Sequence, residues 1–334
     1  MVAVDTFRAL VVDNAGAGVA LGVQEWSTDR LMAGEVTIRV AYSSVNYKDG
    51  LAVRADGRVV RNYPLIPGID LAGTVESSAD GRFKAGDRVL AHGYEIGVAH
   101  HGGLAEVARV PADWVVPLPS GLTARQAMAL GTAGFTAALS VAALEAAGLK
   151  PGTGPVIVTG ASGGVGSTAV DILAALGYEV AASTGSAEAH EYLRSLGAGE
   201  ILDRTETSAE SARPLERGRW AGAVDAVGGA TLAYLLRTMN YGASVAISGN
   251  AGGIDFSSTV FPFILRAVNV LGIDSVAVPI EKRVAVWERL ASDLRPPHLD
   301  DAITHEIALD QAPDALEKIV RGEIQGRTVV RVAG

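Results

Sequence analysis

Between Val156 and Ile172 the chain reads VIVTGASGGVGSTAVDI. A short β-branched run stops at glycines and gives way to a stretch whose apolar residues recur at helical spacing. The segment therefore predicts a buried strand, a tight turn and a helix. Two chemistries use that shape. Gly160-Ala161-Ser162-Gly163-Gly164 satisfies G-x-S-x-G, where Ser162 would be a nucleophile on a strained turn; Gly160, Gly163 and Gly166, three apart, make a bare loop that can take a pyrophosphate. Both need a strand before and a helix after, so the flanks do not separate them.

The rest of the chain does. From Pro155 onward strand-like and helix-like segments alternate: VIVTG, GVGSTAVDILAALG, EVAAST, HEYLRSLGA, EILDR, AVDAVGG, ATLAYLLRTM, SVAISG, TVFPFILRAV, NVLGID. Alternation with short connections signals a doubly wound parallel sheet. A hydrolase would need an acid and a histidine beside Ser162. His190, His298 and His305 are available, but His190 lies in a helix-like segment after the second strand and His305 in the strand-like THEIAL, and neither of these obviously returns to the turn. Nucleotide binding gives each glycine work instead: Gly163 and Gly164 let the backbone turn and approach phosphate, and Gly166 lets the helix pack closely on the strand. The free N–H groups at the helix start favour an anion, and Ser162 becomes a hydroxyl donor.

The residue at the end of the second strand chooses the dinucleotide. An acid there would hold a ribose 2′-hydroxyl. Glu179 stands at the beginning of that strand, and its end carries Ser183, Thr184, Gly185 and Ser186, with Arg204 closing the next strand. Hydroxyls and a cation leave room for a 2′-phosphate, so NADPH is expected.

Before this region, short β-rich runs such as EVTIRVAYSSV, DLAGTVESS and GDRVLAHG are punctuated by Gly, Pro and Asp, which argues for a mostly antiparallel domain. The expected divisions are residues 1–125, 126–268 and 269–334, the last supplying a final strand and a return to the first domain. With 334 residues the chain can build two cores. No apolar run long enough for a membrane span is evident, and the start MVAVDTFRALVVDNAG lacks signal-peptide regions, so a cytoplasmic enzyme is expected. The absence of cysteine removes disulfides, thiol nucleophiles and thiolate zinc sites. A formal charge of -9 disfavours nucleic acid and membrane surfaces as partners.

The segments SSVNYKDGL, PLIPGIDLAGTV, GDRVLAHG, GGLAEVARV, GTAGFTAAL and VTGASGGVGSTA, in this order, resemble the medium-chain dehydrogenase/reductase superfamily in its zinc-free quinone-reductase-like branch. Within it, RNYPLIPGIDLAGTV, FPFILRAVNVLGIDS and IQGRTVV look like the NADPH-dependent acrylyl-CoA reductases. The resemblance implies a GroES-like, mostly β catalytic domain joined to a Rossmann-type domain. It also implies a homodimer paired through NVLGID. Zinc-dependent members use a catalytic Cys and a Gly-His-Glu element; here the element reads Gly68-Ile69-Asp70, so no metal site is expected. His92, His100 and His101 are read as loop residues at a cleft rim.

The implied activity is hydride transfer to the β-carbon of a short acyl-CoA, acrylyl-CoA, and protonation of the α-carbon. A quinone or free enone reductase is the alternative. Tyr47 is implied beside the nicotinamide, where it donates a proton or merely packs, since a phenol is protonated at neutral pH. Asn46 is expected to fix the loop or the substrate carbonyl, and Lys48 with Asp49 to form a local ion pair. Expected cofactor contacts are Tyr47, Ser162, Gly163, Gly164, Val165, Thr184, Gly185, Ser186, Arg204, Asn250, Ile264 and Ser275. Close relatives often carry Arg where Ser186 stands. Arg54, Arg58 and Arg61 are either a patch for the CoA phosphates or a solvated loop.

Overall fold

The computed structural model describes residues 6–16 and 18–333; the first five residues of the expected leaderless start lie outside them. In chain order the elements are β1 (Thr6–Asn14), β2 (Val19–Ser27), β3 (Val36–Val45), α1 (Tyr47–Ala52), β4 (Asp70–Ser78), β5 (Arg88–His92), β6 (Val107–Val110), β7 (Val115–Pro117) and α2 (Ala124–Ala146). They continue with β8 (Val156–Thr159), α3 (Gly164–Ala175), β9 (Val180–Thr184), α4 (His190–Ser195), β10 (Glu200–Asp203), α5 (Arg204–Thr207), β11 (Trp220–Asp225), α6 (Gly229–Thr238) and β12 (Met239–Ile247). The last are α7 (Phe261–Arg266), β13 (Asn269–Gly272), α8 (Ile280–Leu290), β14 (Thr304–Ala308), α9 (Ala312–Val320) and β15 (Arg327–Arg331).

Two compact units result: Met1–Thr132 with Val276–Ser292 and Thr304–Gly334, and Ala133–Ser275 with Asp293–Ile303. The first boundary falls later than residue 125, and the tail does not return in one piece. Segment 293–303 stays in the second unit, where the His298 N–H donates to Asp171 of α3 at 2.9 Å and the His298 ring meets the same carboxylate at 2.8 Å.

The second unit holds six strands, all parallel, in the order β10-β9-β8-β11-β12-β13. The chain's direction of winding reverses between β8 and β11, and that switch point opens a crevice at the carboxyl ends of the strands. β8 is buried at every position, as a parallel strand covered on both faces must be. Ile157, Ala181, Ala223 and Val245 from the sheet pack with Leu232, Leu235 and Leu236 of α6.

The first unit centres on β3, which is antiparallel to β4, β6 and β15. Its seven-stranded sheet runs β14-β15-β3-β4-β5-β7 with β6 branching off β3, and among these pairings β14 with β15 is the parallel one. Alternate residues Val36, Ile38 and Val40 are fully buried, with Leu71, Leu104 and Leu316 in the same core. α1 and α9 are helices that the sequence reading did not separate; Gly50 lets α1 close on α9, since an added Cβ would lie 2.6 Å from Val320 and 2.7 Å from the Leu316 carbonyl.

One expectation is overturned: α2 has the length and apolar composition of a membrane span. It is a core helix, its most apolar window 83% buried, and it breaks at Gly131 (φ 53°, ψ -158°). An added Cβ at Gly131 would lie 2.4 Å from Asp70 Oδ2 and 2.6 Å from Arg327 Nη2. Gly131→Ala is therefore expected to lower stability by about 2 kcal/mol or more, read from the denaturant midpoint. Gly148→Ala (φ 99°, open space around it) isolates the backbone cost alone and should lose only about 1 kcal/mol. Equal losses would mean that the contact with Asp70 and Arg327 adds nothing.

Candidate active site

In the second unit the glycine turn closes β8 and opens α3. Gly160 takes a positive φ of 58° and makes the reversal, while Gly163 is extended at φ -82°, so the turning expected of Gly163 belongs to Gly160. Gly166 is excluded from carrying a side chain: a Cβ there would lie 2.3 Å from the Gly160 carbonyl oxygen. The helix thus starts hard against the strand end, and its first N–H groups have no intrahelical acceptor. Such a bare cradle fits a pyrophosphate.

Ser162 is no nucleophile. Its hydroxyl meets the Thr184 hydroxyl at 3.0 Å, and no described histidine bonds to it; His298 is held by Asp171. Thr184 also accepts the Ser186 N–H at 3.1 Å. Ser162, Gly163, Gly164 and Val165 are thus assembled with Thr184, Gly185, Ser186 and Arg204 at the ends of β8, β9 and β10. Glu179 precedes β9 and its carbonyl pairs with the Val156 N–H, at the other end of these strands.

Asp225 closes β11 and was missed in the sequence. Its carboxylate accepts from the Thr159 hydroxyl at 2.5 Å and from the N–H groups of Val227 and Gly228, tying the β11 turn to the residue before Gly160. Burial pushes its pKa up against those hydrogen bonds. Gly249 and Gly252 pack on this turn, which seats the loop bearing Asn250. Ser275 follows β13. Ile264 is 68% exposed on α7, within an apolar strip described below.

The first unit holds Tyr47 and Asn46. Tyr47 is the first residue of α1 and 47% exposed. Asn46 is buried and its amide is committed: Nδ2 donates to Asp70 at 2.8 Å and Oδ1 accepts from Arg327 at 3.1 Å. Of its two expected roles the geometry supports fixing the loop. Asp49 does not pair with Lys48. It turns inward, fully buried, and accepts the N–H groups of Asn46, Gly68 and Ile69. Burial, with the charge of Asp70, pushes Asp49 up to about 7.

Asp70 and Arg327 form the centre of this network. Asp70 accepts from Ser44, Asn46 and both the N–H and hydroxyl of Thr132; Arg327 lies 3.6 Å from it and donates to the carbonyls of Ala129 and Val45. Burial opposes ionisation of Asp70, but the Arg327 charge, with hydrogen bonds from Ser44 and Thr132, holds it below its ordinary value.

The three histidines are buried, not rim residues. Trp287 Nε1 can only donate, so His92 Nε2 accepts it at 2.9 Å; Nδ1 faces the Thr132 hydroxyl at 3.3 Å, and Arg283 Nη1 lies 3.0 Å from both ring nitrogens. Burial and the Arg283 charge lower the His92 pKa to about 3. His101 accepts the Ile66 N–H, and His100 meets the Ala33 carbonyl. No group of three metal-ligating side chains gathers among the described residues. On the surface, Arg54 is bonded twice to Asp56 and Arg61 pairs with Glu95.

Residues 32–120 match the alcohol dehydrogenase GroES-like domain, and residues 164–292 match the zinc-binding dehydrogenase family. The acrylyl-CoA reductase AcuI of Ruegeria pomeroyi is 55% identical over 98% of this chain and 99% of its own. YhfP of Bacillus subtilis, provisionally named a quinone oxidoreductase, is 52% identical over 98% of this chain and 99% of its own; its crystal structure with NAD bound matches with a TM-score of 0.95. The YhdH oxidoreductase of Salmonella enterica, crystallised in complex with NADP, is 51% identical with a TM-score of 0.95, covering 98% of this chain and all of that one. The chain belongs to the medium-chain dehydrogenase/reductase superfamily, in its zinc-free quinone-reductase-like branch, close to the acrylyl-CoA reductases. It is an oxidoreductase.

Because Asp49 binds its proton more tightly folded than unfolded, it contributes stability below about pH 4 that is lost as pH rises through about 7. The melting temperature of the wild type relative to Asp49→Asn should therefore fall across pH 4.5 to 8 and then level. A difference constant with pH would remove the raised pKa.

Proposed function

We propose that the chain reduces the activated C=C of acrylyl-CoA to propanoyl-CoA with NADPH and without a metal. The observation that carries this reading is the full-length, 55% identical match to an acrylyl-CoA reductase, combined with strand ends built for an anion. The glycine turn and α3 start would hold the pyrophosphate, and Thr184, Ser186 and Arg204 the 2′-phosphate. When bound, NADPH supplies a hydride to the β-carbon.

This chain's residues then deal with the charge. Addition at the β-carbon leaves an enolate on the thioester, and a proton must reach the α-carbon. Tyr47, half exposed on the first turn of α1, is the donor or the group that orients a donating water. Asn46, Asp49, Asp70 and Arg327 are positioning residues: they fix the backbone of the Tyr47 loop and keep their charges away from solvent. Acrylyl-CoA itself is electrophilic enough at the β-carbon to need no metal ion. The quinone or enone alternative is favoured by the name of YhfP and by the surface arginines: Arg54 and Arg61 already have carboxylate partners, which leaves less free charge for CoA phosphates.

A homodimer is part of the reading. β13 is the open edge of the six-stranded sheet, and Ile254, Phe256, Val260, Phe261, Ile264 and Leu265 beside it in sequence are exposed. Large apolar side chains exposed together in one segment are what an interface between two copies would cover.

Purified protein is expected to oxidise NADPH with acrylyl-CoA faster than with 1,4-benzoquinone or an acrylate ester. Tyr47→Phe should lower kcat by roughly 10²-fold if the phenol donates the proton, and by far less if it only packs. Quinone or ester turnover equal to that of acrylyl-CoA would promote the alternative. Light scattering after size exclusion should give twice the 34.3 kDa chain mass, and Val270→Lys on β13 should shift it toward one; a wild-type monomer would reject the dimer.

A further inference from the structure

The end of β9 carries a feature that the sequence did not reveal. Gly185 has an ordinary negative-side backbone, so no turn requires a glycine there. What a side chain would meet is Arg204: an added Cβ would lie 2.5 Å from its Nε, 2.6 Å from Cδ and 2.8 Å from Cζ. The guanidinium stem therefore rests directly on the bare Cα of Gly185.

Arg204 is also uncommitted. The neighbouring Asp203 turns its carboxylate into its own helix start, accepting the Thr205 N–H at 2.8 Å and the Thr205 hydroxyl at 2.6 Å. Arg204 forms no ion pair among the described residues, unlike Arg54 and Arg61, which pair with Asp56 and Glu95. Beside it, Ser162 and Thr184 share one hydrogen bond between two hydroxyls. Whichever donates, the other proton is left to point away from the pair, so the pair always presents one donor. A cation and a hydroxyl donor at one strand end suit a phosphate monoester, which carries close to two negative charges.

We propose that Gly185 is the residue that sets phosphate selectivity here. Its missing side chain is the seat that holds the Arg204 guanidinium, and the seated guanidinium with the outward hydroxyl recognises a phosphate on the ribose 2′ position. This rests on the NADPH reading and names a residue that positions the cation of that reading. A guanidinium already seated loses less freedom when it engages phosphate through its fork of N–H groups. Ser186, where close relatives often carry Arg, is then not required to supply the cation.

The test uses nucleotide fragments and calorimetry on the full chain, so it does not depend on turnover. The probes are 2′,5′-ADP and 5′-AMP. The wild type should bind 2′,5′-ADP at least about tenfold more tightly than 5′-AMP, as a charge-assisted contact to phosphate demands. Gly185→Ala needs no new backbone conformation and displaces only a flexible side chain, so it should fold. It should abolish most of that preference, and Arg204→Met should do the same. The double variant should be no worse than Arg204→Met alone, because both changes remove one interaction. If Gly185→Ala keeps the preference, or if the two losses multiply, the seat has no role and the proposal fails while the NADPH reading stands. If the wild type itself does not distinguish the probes, the NADPH reading falls and takes the proposal with it.

Discussion

The first unit depends on one ion pair that water does not reach. Asp70 and Arg327 are 0% and 2% exposed, and removing two such charges from water costs several kcal/mol each. The pair persists because no hydrogen-bonding capacity is wasted: Asp70 takes bonds from Ser44, Asn46 and Thr132, and Arg327 gives bonds to Ala129, Val45, Asn46 and Ser44. Each partner comes from a different part of the chain. β3 supplies Ser44 and Val45, β4 supplies Asp70, α2 supplies Ala129 and Thr132, and β15 supplies Arg327. Satisfying the pair therefore fixes where the Tyr47 loop leaves β3, where α2 must break at Gly131, and where the end of the chain must return.

The second unit uses the same device with a single charge. Asp225 is buried and receives Thr159, Val227 and Gly228. These bonds join the two strands on either side of the switch point, so the crevice is braced from beneath by a carboxylate while its surface is bare glycine backbone. The separation of labour follows from chemistry. A site for a phosphate must keep its surface free of negative charge, and an acid can serve only where its oxygens are already filled by donors.

Much of this was legible from periodicity and punctuation. The glycine turn, the six parallel strands and the antiparallel sheet follow from the spacing of apolar residues, and segments such as DLAGTVESS coincide with β4 throughout. The polar interior was not legible. Asp49 and Lys48 are adjacent and of opposite sign, yet the carboxylate turns inward to three N–H groups, two of them from residues 68 and 69. Arg327 lies inside IQGRTVV, and nothing local to a closing strand says that its arginine meets an acid from β4. His100 and His101, in AHHGGLAE, read as rim residues of a polar loop before Gly-Gly; their partners, Ala33, Arg30 and Ile66, lie far away in sequence. Buried polar networks are long-range, and a sequence shows their members without their pairing.

The same network also leaves no ligand set for a cation. Where zinc-dependent relatives carry Gly-His-Glu, this chain has Gly68-Ile69-Asp70. Ile69 offers no ligand, and the Asp70 oxygens are filled by N–H and O–H donors and faced by Arg327. A cation would have to displace those donors and lie against a guanidinium. His92 is held neutral by burial and by Arg283, with its ring nitrogens turned to Trp287, Thr132 and Arg283. The acid and the imidazole are thus spent on architecture. What remains on the surface of the Tyr47 loop is a phenol, which can donate a hydrogen bond and cannot polarise a carbonyl as a metal would.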